Sequence, residues 1–376
     1  MLINEYRKMW NFKILAVVIA VGIAMFFSGP VSQMNLEKNL PLFETVEASI
    51  GTEFRQKYGK ELDAGEMEEI KELAQAKSEA LNEEVMKAFP EIKEAGFESY
   101  NALKEYLENA DLETIETKEY EDAVGFEQKI YEQFSWEVEE VQYYYQGLIN
   151  SYEWSSDKES YVVSVVPSSV TSNMSFVMGD FAGVVLSLVI LFVIPYLSWD
   201  NRAGVYPIIA TTKIGRKMLL KQIAVMLSSV AVLLLVCNLV FAATVSVMTP
   251  YGPFWDCIPD CVSYDWTLTQ LYIMQVIIID IVAIAAAMIV FFLSAFCETV
   301  VSIVAVIIPC WFAGNFMSNF FLRKTFMKFD VAFDLYESWQ RRFASAPLLV
   351  CAVLMAVGVG LLVGLYGKRK KEDIFE

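Results

Sequence analysis

Histidine is absent from all 376 residues of this chain. That removes imidazole general bases, histidine-based nucleophilic triads and H-E-x-x-H zinc sites. No G-x-x-x-x-G-K-[ST] segment occurs either. The chain therefore has no phosphate-cradling loop, and ATP and Mg, if used, must be bound by a separate subunit. No cofactor is expected in the chain itself. The few cysteines, six in number, form no evident metal-ligand set. Carboxylate pairs abound, but at this density they arise by chance and do not mark a glycosidase-type site. A net charge of −17 gives no reason to expect nucleic acid as a partner.

What is abundant is apolar surface. Hydrophobic residues make up 56% of the chain and the mean hydropathy is +0.41, against roughly 45–50% apolar in ordinary soluble domains. The negative charge is confined to one block. Val31–Asn173 carries roughly 32 acidic and 12 basic residues, which leaves the remainder weakly basic. An acidic polar part and an apolar part are physically different bodies.

Six apolar runs predict six spans. They lie at Ile14–Phe27, Phe176–Leu197, Met218–Val247, Leu268–Phe296, Val300–Phe320 and Pro347–Tyr366. The first has a strict apolar core of only about 14 residues, where a span wants roughly 20. A signal-peptide core is the alternative there. Ser28-Gly29-Pro30 is a poor cleavage site, and Lys13 and Trp10 suit an interface, so an uncleaved span is preferred. The expected fold is an all-α polytopic membrane protein, six transmembrane helices plus an α-helical external domain. Its expected parts are a cytoplasmic amphipathic helix over 1–13, the first span over 14–30, the external domain over 31–173, five further helices over 174–367 and a basic tail over 368–376. Basic residues at Arg7–Lys13 and Lys368–Lys371 put both termini inside, which an even span number satisfies. The loop Thr249–Thr267 has acids and no Lys or Arg and fits outside. The basic segment Phe321–Phe343 is also placed outside by the count, against the charge rule.

Within the acidic block, Asp63 and Glu66 have the spacing of a capping box. Ile70, Leu73, Lys77, Leu81 and Met86 then recur near helical spacing up to Pro90. Phe97, Tyr100, Leu103 and Leu107 form a second stripe. A third helix is expected over Thr117–Tyr152, with Tyr120, Val124, Ile130, Phe134, Val138, Val141 and Tyr145 inward. Tyr161–Val166 is β-branched and reads as a strand or extended linker. The aromatic run Tyr143-Tyr144-Tyr145 offers either a surface for cationic peptides or plain core; core is preferred.

Four features outside that block carry candidate chemistry. Asp280 is an acid deep in a span, flanked by isoleucines. Bare in lipid it would cost about 2.5–3.5 kcal/mol, so it should face the bundle interior and a polar partner such as Asn238. It is either part of a transport path or a structural hydrogen bond between helices. Cys257 and Cys261 share the loop expected outside, where a disulfide is chemically permitted; the other four cysteines lie in or beside spans and read as packers. Leu2, Ile3, Tyr6, Met9 and Trp10 can share one face of an interfacial helix. Finally, Trp199–Lys221 is a short polar, basic loop between two spans and should face the cytoplasm.

In that loop an acidic residue, a Gly, a Thr-rich turn, a Gly-Arg pair and a Lys opening the next helix follow in order: Asp200, Gly204, Thr211–Thr212, Gly215–Arg216 and Lys221, with Arg202 beside the first. This wording resembles the loop after the second span in permease subunits of type-2 ABC exporters, which usually carry Glu where this chain has Asp200. The N-terminal helix with Tyr6 and Trp10 resembles that family's elbow helix, and the order of elbow, span, external insertion and five spans matches its layout. The resemblance implies a cell-membrane, multi-pass permease in the lipid bilayer, paired with a second permease copy or paralogue and with a cytoplasmic ABC ATPase subunit. The ATPase would meet the 199–221 loop and the N-terminal helix. Two other readings stand beside it. One is a mechanotransmission permease, which has four spans; the other is a membrane receptor or assembly protein that transports nothing.

Overall fold

The computed structural model describes residues 2–39, 43–110, 117–153, 163–202, 218–249, 251–259, 265–297, 299–324 and 346–375. In chain order the helices are α1 (Leu2–Met9), α2 (Phe12–Ser28), α3 (Pro30–Asn39), α4 (Phe43–Tyr58), α5 (Ala64–Ala88), α6 (Glu91–Glu94), α7 (Tyr100–Glu108), α8 (Lys118–Glu139) and α9 (Gln146–Glu153). They continue with α10 (Ser168–Arg202), α11 (Met218–Met248), α12 (Leu268–Ser294), α13 (Val300–Phe320) and α14 (Pro347–Phe375). Two two-residue strands, β1 (Glu61–Leu62) and β2 (Val163–Ser164), pair antiparallel. The protein is thus an all-α polytopic membrane protein. Its six apolar spans run over Phe12–Met34, Asn173–Tyr196, Met218–Met248, Leu268–Ser294, Val301–Asn319 and Pro347–Lys368. The first is longer than its sequence core suggests, because α2 is followed within two residues by α3, whose start is still apolar.

The chain divides into two compact units. One comprises residues 1–36, 172–249 and 261–376; the other comprises 37–171 and 250–260.

In the membrane unit, α10 is the central helix: 89% of its most apolar window is buried, against 6% for α13 and 17% for the first span. Its neighbours can be read from single contacts. Trp10, directly after α1, packs edge-on against Phe192 at 5.3 Å, Phe241 of α11 stacks on Phe181 at 3.9 Å, and Phe291 of α12 lies 6.2 Å from Tyr196. α13 packs its Ser318 and Asn315 side chains against Gly183, where a Cβ would stand 3.3 Å from Ser318 Oγ. Small residues allow such approach in lipid, where packing and not water exclusion drives association. α14 packs on α12 in the same way: a Cβ on Gly358 would meet Met288 Cε at 2.9 Å. The apolar side chains left exposed on α2, α11, α13 and α14 are lipid-facing surface.

The polar unit is a small helical body. The Asp63–Glu66 capping box opens α5 as expected, with both reciprocal hydrogen bonds at 2.9 Å, and the helix stops before Pro90. Met67, Ile70, Ala74, Leu81 and Val85 line its buried face. Phe97, Tyr100 and Leu103 join Ile92, Ala123, Ile130 and Val138 in one apolar cluster. Two expectations need correction. The third helix is not continuous: it kinks at Phe134 and loosens into a π turn over Glu140–Tyr145. Val124, expected inside, is 38% exposed, and Ala123 takes the inward position. The π turn adds a residue to the winding and turns Tyr144 and Tyr145 inward, where Phe54 packs at 5.4 and 5.7 Å. Burial, with Glu47 and Glu140 nearby, pushes both phenols above their usual range. These two tyrosines are core; the Tyr143 side chain lies outside the described residues.

The Pro250–Asp260 segment belongs to this unit. Tyr251, Phe254 and Cys257 are buried. Asp256 takes Arg55 and Lys60, each at 2.8 Å.

Candidate functional site

The site begins with the acid of α1. Glu5 is the lone acid among the first 36 residues and sits among Arg7, Lys8 and Lys13. An acid on a basic interfacial helix would be expected to face water. It is instead 2% exposed. Tyr196 OH of α10 donates to Glu5 Oε2 at 2.8 Å, and Gln222 Nε2 of α11 reaches the same oxygen at 3.5 Å. Lys8 Nζ holds the other oxygen at 3.1 Å. The Tyr6 hydroxyl shares a hydrogen bond with Ser228 Oγ at 2.7 Å, and Trp10 Nε1 donates to Ser229 Oγ at 3.0 Å.

α1 is therefore a strap, and what it straps is specific. Tyr196 stands six residues before the end of α10, and Gln222 stands four residues into α11. These are the two helices from which the Trp199–Lys221 loop emerges. The N-terminal segment links both, through Glu5 and Tyr196 to α10 and through Tyr6–Ser228 and Trp10–Ser229 to α11. Tyr6 and Trp10, expected to meet a partner, have their polar atoms turned to α11, while Leu2 and Ile3 are the exposed apolar residues of α1. Sequence reading missed Glu5; its signal was an acid at helical spacing from Met9 on the otherwise apolar face.

The loop residues themselves divide. Asp200 and Arg202 lie on the last turn of α10, and Lys221 lies in the first turn of α11. Gly204, Thr211, Thr212, Gly215 and Arg216 lie outside the described residues.

A second polar constellation sits between α11 and α12. Asn238 Nδ2 donates to Asp280 Oδ2 at 2.9 Å, the partner expected from the sequence. Among the described residues, Asn238 Oδ1 and Asp280 Oδ1 have no hydrogen-bond partner although each atom is buried. The pair links two helices across the membrane unit. Cys237 is its neighbour in sequence.

At the far end of α10, Arg323 sits over the Phe176 ring at 3.2 Å. Burial lowers its basicity, and the Asp180 carboxylate opposes that. Residues 176 and 196 are about 30 Å apart along a helix, so Arg323 lies at the end of α10 opposite to α1. The basic segment from Phe321 thus begins at the end of α10 away from α1; residues 325–345 lie outside the described residues. Cys257 is a buried thiol, pushed above its usual range by that burial; Cys261 lies outside the described residues. Among the described residues no group of three acids or cysteines has the geometry of a metal site.

Compared with protein-family models, with curated proteins and with solved structures, the chain matches none.

Proposed function

We propose that this chain is the membrane-spanning permease subunit of an ATP-driven ABC transporter, acting as an exporter with a separate ATPase subunit. The observation that carries the reading is the tie from the N-terminal segment to both helices: Glu5 accepts from Tyr196 of α10, and Tyr6 and Trp10 bond Ser228 and Ser229 of α11. A coupling surface has to pass a push on a loop into the spans. Here the helix ends flanking the basic loop are tied to one another and to α1, so displacement of one is felt by all three. Six spans, basic loop residues and the resemblance of Asp200 through Lys221 to the type-2 exporter permeases support the same reading.

In this reading the termini and the 199–221 loop face the cytoplasm, and the acidic unit lies outside. The ATPase binds ATP and Mg; Arg216, Gly215 and the Thr211–Thr212 turn meet it, with Arg216 supplying a forked contact that Lys would not reproduce. The Asn238–Asp280 pair stands in the bundle where a pathway or gate would run. A second permease copy or paralogue completes the transporter.

The test uses the full chain purified in mild detergent from membranes of its own host. An ATP-hydrolysing subunit should accompany the wild type. Arg216→Glu should insert normally, since the loop is outside the spans, and should lose that subunit or its transport-coupled hydrolysis. An Arg216→Glu protein that keeps the ATPase and transports at the wild-type rate rejects the coupling role. A wild type that carries no ATPase from its own membranes rejects the permease reading. Labelling of single cysteines at Ser78 from outside and at Lys213 from inside checks the topology; external labelling at Lys213 overturns it.

A further inference from the structure

α1 also borders a cavity of about 280 Å³, which shares Lys8 and Tyr196 with the Glu5 contacts. Its lining combines the polar residues Asn4, Arg7, Lys8 and Asn11 with Ile14, Pro195 and Tyr196. The division follows the membrane boundary. The first apolar span starts at Phe12 and the second ends at Tyr196. All four polar residues lie before Phe12, while Ile14, Pro195 and Tyr196 lie within the spans. The cavity therefore lies at the ends of the first two apolar spans, lined by polar donors from before Phe12 and by residues from within the spans.

The donors differ in what they have left to give. Lys8 is held by Glu5 at 3.1 Å, and Asn11 Oδ1 caps the start of α2 by accepting from Lys13 N at 2.9 Å. Arg7 is exposed and, among the described residues, has no ion-pair partner. A guanidinium presents a planar fork of N–H donors that matches two oxygens of one phosphate. The Lys8 ammonium and the Asn4 and Asn11 amides add donors, and none of these four residues adds a carboxylate.

We propose that this cavity binds the phosphate diester of an anionic phospholipid. The diester would take the Arg7 fork, its glycerol and first methylenes would lie against Ile14 and Pro195, and the Arg7 guanidinium would disfavour a headgroup that carries its own positive charge. Basic pockets between membrane helices bind anionic headgroups in this manner. Bound there, the lipid joins α1, α2 and α10, so the composition of the bilayer would set how firmly the strap is held.

The experiment uses the full chain purified in a neutral detergent, without an ATPase, so its result is separate from that of the permease reading. Binding of short-chain phosphatidylglycerol, short-chain phosphatidylcholine and glycerol phosphate is measured by calorimetry. Phosphatidylglycerol should bind at least about tenfold more tightly than either of the others, a difference of about 1.4 kcal/mol. Arg7→Gln should remove most of that preference, Arg7→Lys should keep the charge and lose part of the affinity, and Lys93→Gln, in the polar unit, should bind like the wild type. Thermal unfolding of each variant in detergent confirms that the fold is kept. Unchanged binding by Arg7→Gln overturns the site. Equal binding of phosphatidylcholine overturns its selectivity for anionic headgroups. Glycerol phosphate binding as tightly as the short-chain lipid overturns the lipid assignment and makes the ligand a soluble phosphate ester.

Discussion

Replacing Glu5 with Ala tests the strap directly. The side chain is 2% exposed and takes Tyr196 OH at 2.8 Å, Lys8 at 3.1 Å and Gln222 at 3.5 Å. The Tyr196 contact dominates. Tyr196 is 1% exposed, and a hydrogen bond to a carboxylate contributes about 1.5–3 kcal/mol. The Lys8 pair, on a side chain 30% exposed, adds at most about 1 kcal/mol after solvent screening. The Gln222 contact at 3.5 Å lies at the limit of hydrogen bonding and adds little. The expected cost is therefore about 2–3 kcal/mol, which raises the population of an α1-detached state by roughly 30- to 150-fold. Hydrogen exchange read by mass spectrometry reports this. Protection of the amides in residues 5–10 should fall by that factor, while the α12 amides should not change. Glu5→Gln keeps an acceptor for Tyr196 and should fall between the two. Protection of α1 in Glu5→Ala within twofold of wild type would refute the claim that this carboxylate holds the helix.

Asn238→Leu removes the donor to Asp280 Oδ2 and should lower stability in detergent by about 1–2 kcal/mol. Replacing both residues with Leu should recover much of the loss, because it removes the stranded acid as well; calorimetric or SDS unfolding checks both. Gly358→Leu places side-chain atoms where Met288 stands and should cost about 1–3 kcal/mol by forcing α12 and α14 apart, read in the same unfolding assay. For the polar unit, the ammonium of Lys60 and then the guanidinium of Arg55 hold the Asp256 carboxyl below the usual carboxylate range. Its folded-state value is depressed, so its stabilisation is complete above the unfolded value of about 3.9 and is lost as pH falls through the folded one. Because Asp256 is half exposed, Asp256→Asn should cost less than about 1 kcal/mol at pH 7. The variant and the wild type should converge as pH falls through the folded value, as followed by thermal unfolding across pH; a gap that widens on acidification would contradict the ion pairs.

The parts of this protein that depend on short-range or one-dimensional properties were legible from its sequence. Apolar run length determined the six spans, because a bilayer of fixed thickness demands about 20 apolar residues from each helix. The Asp63–Glu66 box was legible for the same reason: its bonds close over three residues. Asp280 in a run of isoleucines called for a polar partner, and Asn238 was a suitable one on another span. Three-dimensional packing decided the rest. Periodicity over Thr117–Tyr152 showed a helix but not the π turn, since one extra residue in the winding leaves the apolar spacing nearly intact. β1 was invisible because two residues carry no alternation; its pairing with Val163–Ser164 comes from chain segments a hundred residues apart. Asp256 read as one acid of a polar loop until the fold brought Arg55 and Lys60 to it. Glu5 shows the difference most plainly. Its sequence neighbours are cations and no pattern in the sequence marked it for burial, but the tertiary structure surrounds it with Tyr196, Gln222 and Lys8, and the Tyr196 hydroxyl, supplied by a helix some 190 residues away, is what makes burial of that carboxylate possible.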